Sequence, residues 1–141
     1  MTLPRPIPVD QMIDHNPPHA YGDCTRACIA TLLGIPLCEA PYLPPDSSWL
    51  DVANKFLEGH GLALVSLDWD EGAVRMSLAQ NVYFLLYGKS PRGHYGHAVV
   101  AHVQDGQILT FHDPHASRAG LLPDRIDGMA FLTPIFCGNT P

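Results

Sequence analysis

The chain has 141 residues, the length of one ordinary domain, and 46% of them are apolar, so it can bury a core without disulfide cross-links. Eight Lys and Arg residues stand against fourteen Asp and Glu residues, which gives a formal charge of −6, and the cations are scattered along the chain. This balance argues against nucleic acid as a partner, because phosphate binding needs clustered cations.

The distribution of apolar residues gives no sign of a membrane-spanning or secretory segment. The longest apolar stretches, such as Val82–Tyr87, are far shorter than the roughly 20 residues that span a bilayer. Pro4, Pro6 and Pro8 interrupt the N-terminus where a signal peptide needs an apolar run. We therefore predict one cytoplasmic domain over residues 1–141, with no membrane partner and with the four cysteines as free thiols. The oligomeric state is left open.

The N-terminal part of the chain predicts an irregular segment followed by a helix. Residues 1–22 are predicted to be irregular, because prolines remove amide donors and disfavour helix in the residue before them. Residues 23–34 form the first regular element. Asp23 is a suitable N-cap, apolar residues repeat at helical spacing over Cys24–Leu33, and Gly34 ends the helix. The first residue of this helix is a cysteine.

The rest of the chain predicts further helices and then strands. An amphipathic helix is expected over Trp49–Leu57, a strand over Leu62–Leu67 and a short helix over Glu71–Ala79. Strands then follow over Asn81–Tyr87, Gly96–Val103, Gln107–Asp113 and Met129–Phe136. Residues 81–137 thus form an antiparallel sheet, and Pro134 indicates that the last strand lies at an edge. We predict an α+β fold with N-terminal helices packed on this sheet.

The two strands on either side of Gln104–Gly106 form a hairpin whose loop has either two or three residues. With three, Val99 pairs with Phe111 and apolar partners share one face, so we predict this register. It also places His97 opposite Asp113 on the same face. The apolar pattern and the chemistry below therefore favour the same register.

Three residues in this framework point to nucleophilic catalysis. A thiol nucleophile needs a lowered pKa, which a helix N-terminus and a neighbouring imidazolium provide. The imidazole in turn needs a hydrogen-bond acceptor on its second nitrogen to orient it. Cys24 lies at a helix start, and His97 faces Asp113 across the predicted hairpin. The sequence therefore predicts a Cys-His-Asp triad.

Two parts of the chain carry motifs that occur together in one peptidase family. Residues 21–34 read Tyr-Gly-Asp-Cys-Thr-Arg-Ala-Cys-Ile-Ala-Thr-Leu-Leu-Gly, while residues 96–100 read Gly-His-Ala-Val-Val and residues 108–115 read Ile-Leu-Thr-Phe-His-Asp-Pro-His. They resemble the Asp-Cys-Gly-x-Ala-Cys-Leu-x-Met helix and the His-Phe-Val-Val and Asp-Pro segments of the bacteriocin-processing peptidases, the leader-cleaving domains of ABC exporters. The resemblance covers nearly the whole chain in order, and it implies a papain-like fold.

The resemblance also implies site roles. It makes Cys24 the nucleophile, His97 the base and then the acid, and Asp113 the residue that orients His97. In the family a Gln six residues before the cysteine completes the oxyanion hole, but this chain has Pro18 there, which has no side-chain donor. Asn16 is the predicted donor in its place, with His19 as the other candidate. Thr25 replaces the glycine that follows the family's cysteine.

These observations predict a thiol hydrolase that acts on a peptide or protein substrate and needs no cofactor. The bond cleaved is a peptide, isopeptide or other amide bond. The same triad would serve an acyltransferase or amidase, and a catalytically silent peptidase-like domain that binds a peptide or protein partner is the main alternative. The substrate cleft is expected between the loops at 15–23, 88–96 and 114–124.

A metal site is an alternative interpretation of the histidines, with less support than the catalytic one. His94 and His97 are three residues apart, as are His112 and His115, which suggests zinc ligands. Strand residues three apart point to opposite faces, however, and no carboxylate accompanies them. No metal is therefore predicted.

Overall fold

A computed structural model describes residues 3–17, 19–77 and 82–135 of the chain. Within these ranges there are three α-helices and five β-strands. They are α1 (Cys24–Leu33), α2 (Trp49–Glu58), β1 (Leu62–Asp68), α3 (Glu71–Ser77), β2 (Tyr83–Lys89), β3 (Gly96–Gln104), β4 (Gln107–His112) and β5 (Ile126–Pro134). No helix in these ranges is long and apolar enough to cross a membrane.

The predicted elements are present, with small differences at their ends. The helix predicted over Cys24–Leu33 is confirmed at both ends, and Gly34 ends it in the left-handed conformation at φ 66°. The predicted ends at Ala79, Asn81 and Phe136 lie outside the described residues, as do Pro18 and Cys137.

The five strands form one antiparallel sheet in the order β1-β5-β2-β3-β4. Together with the helices, this confirms the α+β prediction. The prediction that Pro134 marks an edge strand is wrong, because β5 lies between β1 and β2. Pro134 is tolerated there because β2 pairs with β5 only as far as Ala130, while Pro134 lies opposite Leu62 on the β1 side.

Both faces of the sheet are covered. Ile29 of α1 and Val100 of β3 belong to the core on one face, which α2 completes. Val99 belongs to the core on the other face, together with Val74 of α3. Neighbouring residues of β3 therefore point into two different cores, which explains why residues 98–101 are all apolar.

The hairpin between β3 and β4 has a two-residue loop, so the predicted three-residue loop is wrong. Asp105 and Gly106 both have positive φ values, 51° and 73°, which suit a tight turn that matches the strand twist. Ala101 consequently pairs with Thr110, and the predicted pairing of Val99 with Phe111 does not form. The preference of Asp-Gly for this turn outweighs the match of apolar partners.

A β-bulge in β4 then changes which side chains share a face. The register shifts by one residue at Phe111, so that Val100 lies opposite His112. Because side chains alternate with a period of two, the extra residue returns Asp113 to the side of the sheet on which His97 lies. The prediction that His97 and Asp113 lie directly opposite each other is therefore wrong. Their side chains nevertheless lie on the same face of the sheet, as predicted.

Candidate active site

Cys24 is the first residue of α1, and its position gives the thiol a polar environment. Asp23 precedes it at the N-cap position but makes no side-chain hydrogen bond to the helix, so its predicted capping role is wrong. Its Oδ1 instead accepts the backbone N–H groups of Met12 at 3.1 Å and Ile13 at 2.8 Å. Asp23 therefore leaves the first-turn amides of α1 uncapped, and their partial positive charge favours an anion at Cys24.

His97 and Asp113 form a buried pair beside this thiol. The Nε2 of His97 lies 2.7 Å from Oδ1 of Asp113, and both side chains are buried. Backbone N–H groups of His115 and Gly120 also donate to the carboxylate, at 2.9 Å and 2.7 Å. With Nε2 donating to the carboxylate, Nδ1 is the ring nitrogen that remains for the hydrogen bond with Cys24.

The hydrogen bonds of this pair shift both pKa values. Burial raises the pKa of Asp113, but hydrogen bonds from His97, His115 and Gly120 outweigh it and lower that pKa from 3.8 to about 2. Burial lowers the pKa of His97, but the hydrogen bonds with Asp113 and Cys24 raise it from 6.5 to about 8. These contacts therefore favour the imidazolium form of His97, the form that it takes when it has accepted the proton of Cys24.

The thiol of Cys24 is shifted in the opposite direction. Burial raises its pKa, but the hydrogen bond and the charge of His97 outweigh burial, with help from the N–H of Ala98 and the hydroxyl of Thr25, so that the pKa falls below 9.0. Cys28, one helical turn further on, is fully buried, and burial holds its pKa well above 9.0. Only the first of these two thiols has the environment of a nucleophile.

Cys24 and His97 line a cleft of about 570 Å³. The predicted loops at 15–23 and 88–96 contribute to its wall, whereas the predicted loop at 114–124 contributes only His115. A large part of the wall comes instead from the segment 42–50, which leads into α2 and was not predicted to line the cleft.

The structure does not bring the predicted oxyanion donor Asn16 to the cleft. Asn16 is exposed, and paired backbone hydrogen bonds of 2.9 Å with Ala20 close a tight turn there; His19 within this turn is also exposed. Gln11 lines the cleft instead. Its Nε2 donates to the carbonyl of Ile13 at 2.9 Å, and its buried Oε1 has no hydrogen-bond partner among the described residues.

Gln11 reaches the site because residues 7–13, here termed the N-terminal strap, run between α1 and the segment after β4. The strap is fixed to α1 by hydrogen bonds from Ile7 N and Val9 N to Thr31, each of 3.0 Å. It is fixed to the other side by a 3.1 Å bond from Gln11 N to the carbonyl of Pro114. Gln11 lies thirteen residues before Cys24, so the family spacing of six residues does not predict it. A search for any side-chain amide before Cys24 would have included it.

The histidine pairs do not form a metal site. His97 is bonded to Asp113, while the Nε2 of His112 lies 3.0 Å from Asp10 on the strap, and His94 is exposed. In the part of the chain that the structure describes, no group of three or more His, Cys, Asp or Glu side chains could hold a metal ion.

The cleft thus combines a thiol of lowered pKa, a histidine of raised pKa and a buried carboxylate at the N-terminus of a helix in an α+β domain. These are the groups from which nucleophilic thiol sites are built. The chain matches no protein-family model, no curated protein and no solved structure. Its function is therefore inferred from the chemistry of the cleft.

Proposed function

We propose that the protein is a papain-like thiol hydrolase that cleaves a peptide, isopeptide or other amide bond through Cys24, His97 and Asp113. One observation carries the proposal: a histidine 2.7 Å from a buried carboxylate is also hydrogen-bonded to a thiol at a helix N-terminus, beside an open cleft. The motifs shared with the bacteriocin-processing peptidases support it.

In the proposed reaction, His97 takes the proton of Cys24 and the thiolate attacks the carbonyl carbon of the substrate. An S–C bond forms, and the carbonyl π electrons move to the oxygen. When this intermediate collapses, the C–N bond breaks and His97 gives its proton to the departing amine. Water, deprotonated by His97, then attacks the thioester, which releases a carboxylic acid and restores the thiol. Asp113 keeps the imidazole oriented and its charge balanced throughout.

The oxyanion of each tetrahedral intermediate needs donors that are aimed at it. The backbone N–H of Cys24 is one, since it has no partner within the helix. Gln11 is the proposed second donor, because its Nε2 carries two hydrogens and only one is used by Ile13. The Oε1 of Gln11 can only accept, so the second N–H of its amide is the group that an oxyanion can use.

The test measures the reactivity of each cysteine towards iodoacetamide between about pH 4 and pH 9 by mass spectrometry. Cys24 is expected to react fastest and at a lower pH than the exposed Cys38, while the buried Cys28 stays unreactive. His97→Ala should abolish the advantage of Cys24. His94→Ala is the matched control, because His94 is exposed and should change nothing.

The outcomes distinguish a hydrolase from a catalytically silent domain and from an acyltransferase. If Cys24 reacts no faster than Cys38, or keeps its advantage in His97→Ala, the hydrolase proposal fails and a silent domain that binds a peptide becomes the better reading. If Cys24 is activated, acyl transfer and hydrolysis are separated by adding an amine to the thioester formed with p-nitrophenyl acetate. Release of acetate supports a hydrolase, whereas an acetylated amine supports a transferase.

A further inference from the structure

An ion pair outside the proposed catalytic residues joins the N-terminal strap to the segment after β4. Arg118 Nη1 lies 2.7 Å from Oδ1 of Asp10, and its Nη2 lies 3.0 Å from Oδ2 of the same carboxylate. This two-point geometry is the strongest form of such a contact. Asp10 is on the N-terminal strap, directly before Gln11, while Arg118 follows Asp113 by five residues.

The same guanidinium also fixes the backbone that carries Asp113. Its Nη1 donates to the carbonyl of Asp113 in a short hydrogen bond, and to the carbonyl of His115 at 3.3 Å. Arg118 has φ 51°, in the left-handed region that non-glycine residues rarely adopt. The contacts of its side chain hold it in this conformation.

A third side chain extends this cluster. His112 Nε2 lies 3.0 Å from Oδ1 of Asp10 and 3.2 Å from the carbonyl of Val9. Arg118, through its hydrogen bond, lowers the pKa of Asp10, so the carboxylate stays charged over a wide pH range. The segment that carries Asp113 therefore also bonds to the two strap residues next to Asp10. His112 bonds to the carbonyl of Val9, and the carbonyl of Pro114 accepts the N–H of Gln11.

We propose that Asp10 and Arg118 are positioning residues, which form a clamp that sets Gln11 in register with the catalytic thiol. This inference rests on the proposed function. The clamp acts on the oxyanion donor and leaves the Cys24–His97 pair unaffected. That pair is supported separately, because the carboxylate of Asp113 has its own bonds to His97, His115 and Gly120.

Two reagents separate these roles. Alkylation by iodoacetamide needs the thiolate and forms no oxyanion, whereas acylation by p-nitrophenyl acetate passes through a tetrahedral oxyanion. Gln11→Ala should slow acylation of Cys24 about 100–1,000-fold, as expected for a lost donor, and Arg118→Ala about 100-fold, as expected for a donor displaced by about 1 Å. Neither should change the alkylation rate or its pH profile. Arg75→Ala is the matched control, because it removes an exposed 2.7 Å ion pair with Glu71 in α3, a helix that does not line the cleft.

A double-mutant cycle gives the decisive result. If Arg118 acts through Gln11, the variant that carries both substitutions should acylate no more slowly than Gln11→Ala alone. Arg118→Lys keeps the charge without the two-point geometry and should be intermediate. Additive effects, an unchanged acylation rate in Arg118→Ala or Asp10→Asn, or an equal loss of alkylation would each overturn the clamp. Failure of the proposed function would show separately, as the absence of an activated Cys24 in the wild-type protein.

Discussion

At the scale of single residues, the chemistry depends on which ring nitrogen of His97 faces the carboxylate and which faces the thiol. A carboxylate can only accept, so Asp113 fixes the proton of His97 on Nε2 and leaves Nδ1 for the thiol. The same contact contributes to the raised pKa of His97, about 8, and to the lowered pKa of Asp113, about 2. This hydrogen bond therefore sets the orientation of the base and favours its charged form.

Asp113→Asn should remove the negative charge beside His97 and keep a side chain of the same size there. The pKa of His97 should fall from about 8 towards its ordinary 6.5, so alkylation of Cys24 should begin at a higher pH than in the wild type. Asp127→Asn is the matched control, since Asp127 is an exposed aspartate on the cleft wall. An unchanged alkylation profile in Asp113→Asn would contradict the orienting role.

The same pair links stability to pH. The raised pKa of His97 stabilises the fold below pH 6.5, and this contribution is lost as the pH rises through about 8. The lowered pKa of Asp113 stabilises the fold above pH 3.8, and this contribution is lost as the pH falls through about 2. Between pH 3.8 and 6.5 both contributions are complete, so this pair stabilises the fold most in mildly acidic solution.

At the scale of secondary structure, the bulge in β4 brings Asp113 to the face of His97. Deletion of Phe111 should make the hairpin regular while His112 stays opposite Val100 and Asp113 stays on the face of His97, so that Cys24 keeps its low-pH reactivity towards iodoacetamide. Phe111→Ala keeps the extra residue and should retain that reactivity, although it weakens the contacts with Tyr83 and His102. Circular dichroism would show whether the deletion variant keeps its fold. Loss of Cys24 activation in a deletion variant that keeps its fold would refute this account.

Local signals made some elements predictable from the sequence. The helix at Cys24–Leu33 has its own end signal at Gly34, and the Asp105-Gly106 turn is specified by two residues. That Cys24, His97 and Asp113 lie close together could be predicted because the helical and hairpin segments that carry them each have a local motif. The predicted register is wrong because the turn preference of Asp105-Gly106 outweighs the apolar pairing of Val99 with Phe111, and a bulge cannot be predicted from periodicity.

Other features depend on contacts between distant parts of the chain. β5 is the last strand in sequence, yet it occupies an interior position of the sheet, and no local pattern specifies that order. Gln11 enters the cleft because the strap is bonded to Thr31 and Pro114, far along the chain. The spacing of Gln11 from Cys24 is therefore set by tertiary contacts, which a motif of fixed length cannot describe.

At the scale of the whole molecule, the cleft has two walls of different chemistry. One is polar: His15 packs on Tyr95 with ring centroids 4.8 Å apart, and His115 lies 3.5 Å from Asp14. The other is largely apolar and aromatic, formed by the segment 42–50 and the strand residues beside it. A substrate that fills the cleft can therefore contact both a polar and an apolar surface.

Trp49 is the largest side chain of the apolar wall. Its ring packs edge-on against Tyr87, with centroids 6.3 Å apart, and the Tyr87 hydroxyl is hydrogen-bonded to Ser66 at 2.6 Å, so this surface is held in place. If the proposed hydrolase uses it to bind substrate, p-nitrophenyl esters of N-acetylphenylalanine should acylate Cys24 faster than those of N-acetylglycine. Trp49→Ala should reduce that preference about tenfold, the discrimination typical of a lost apolar contact.

Trp69→Ala separates binding from stability. Trp69 is also half-buried, but it packs in the core on the opposite face of the sheet, away from the cleft. Both substitutions remove a large apolar side chain and should lower the free energy of unfolding in urea. Only Trp49→Ala should change the ratio of the two acylation rates, because only Trp49 contacts the bound side chain. Equal ratios in the wild type and Trp49→Ala would place the substrate against the polar wall instead.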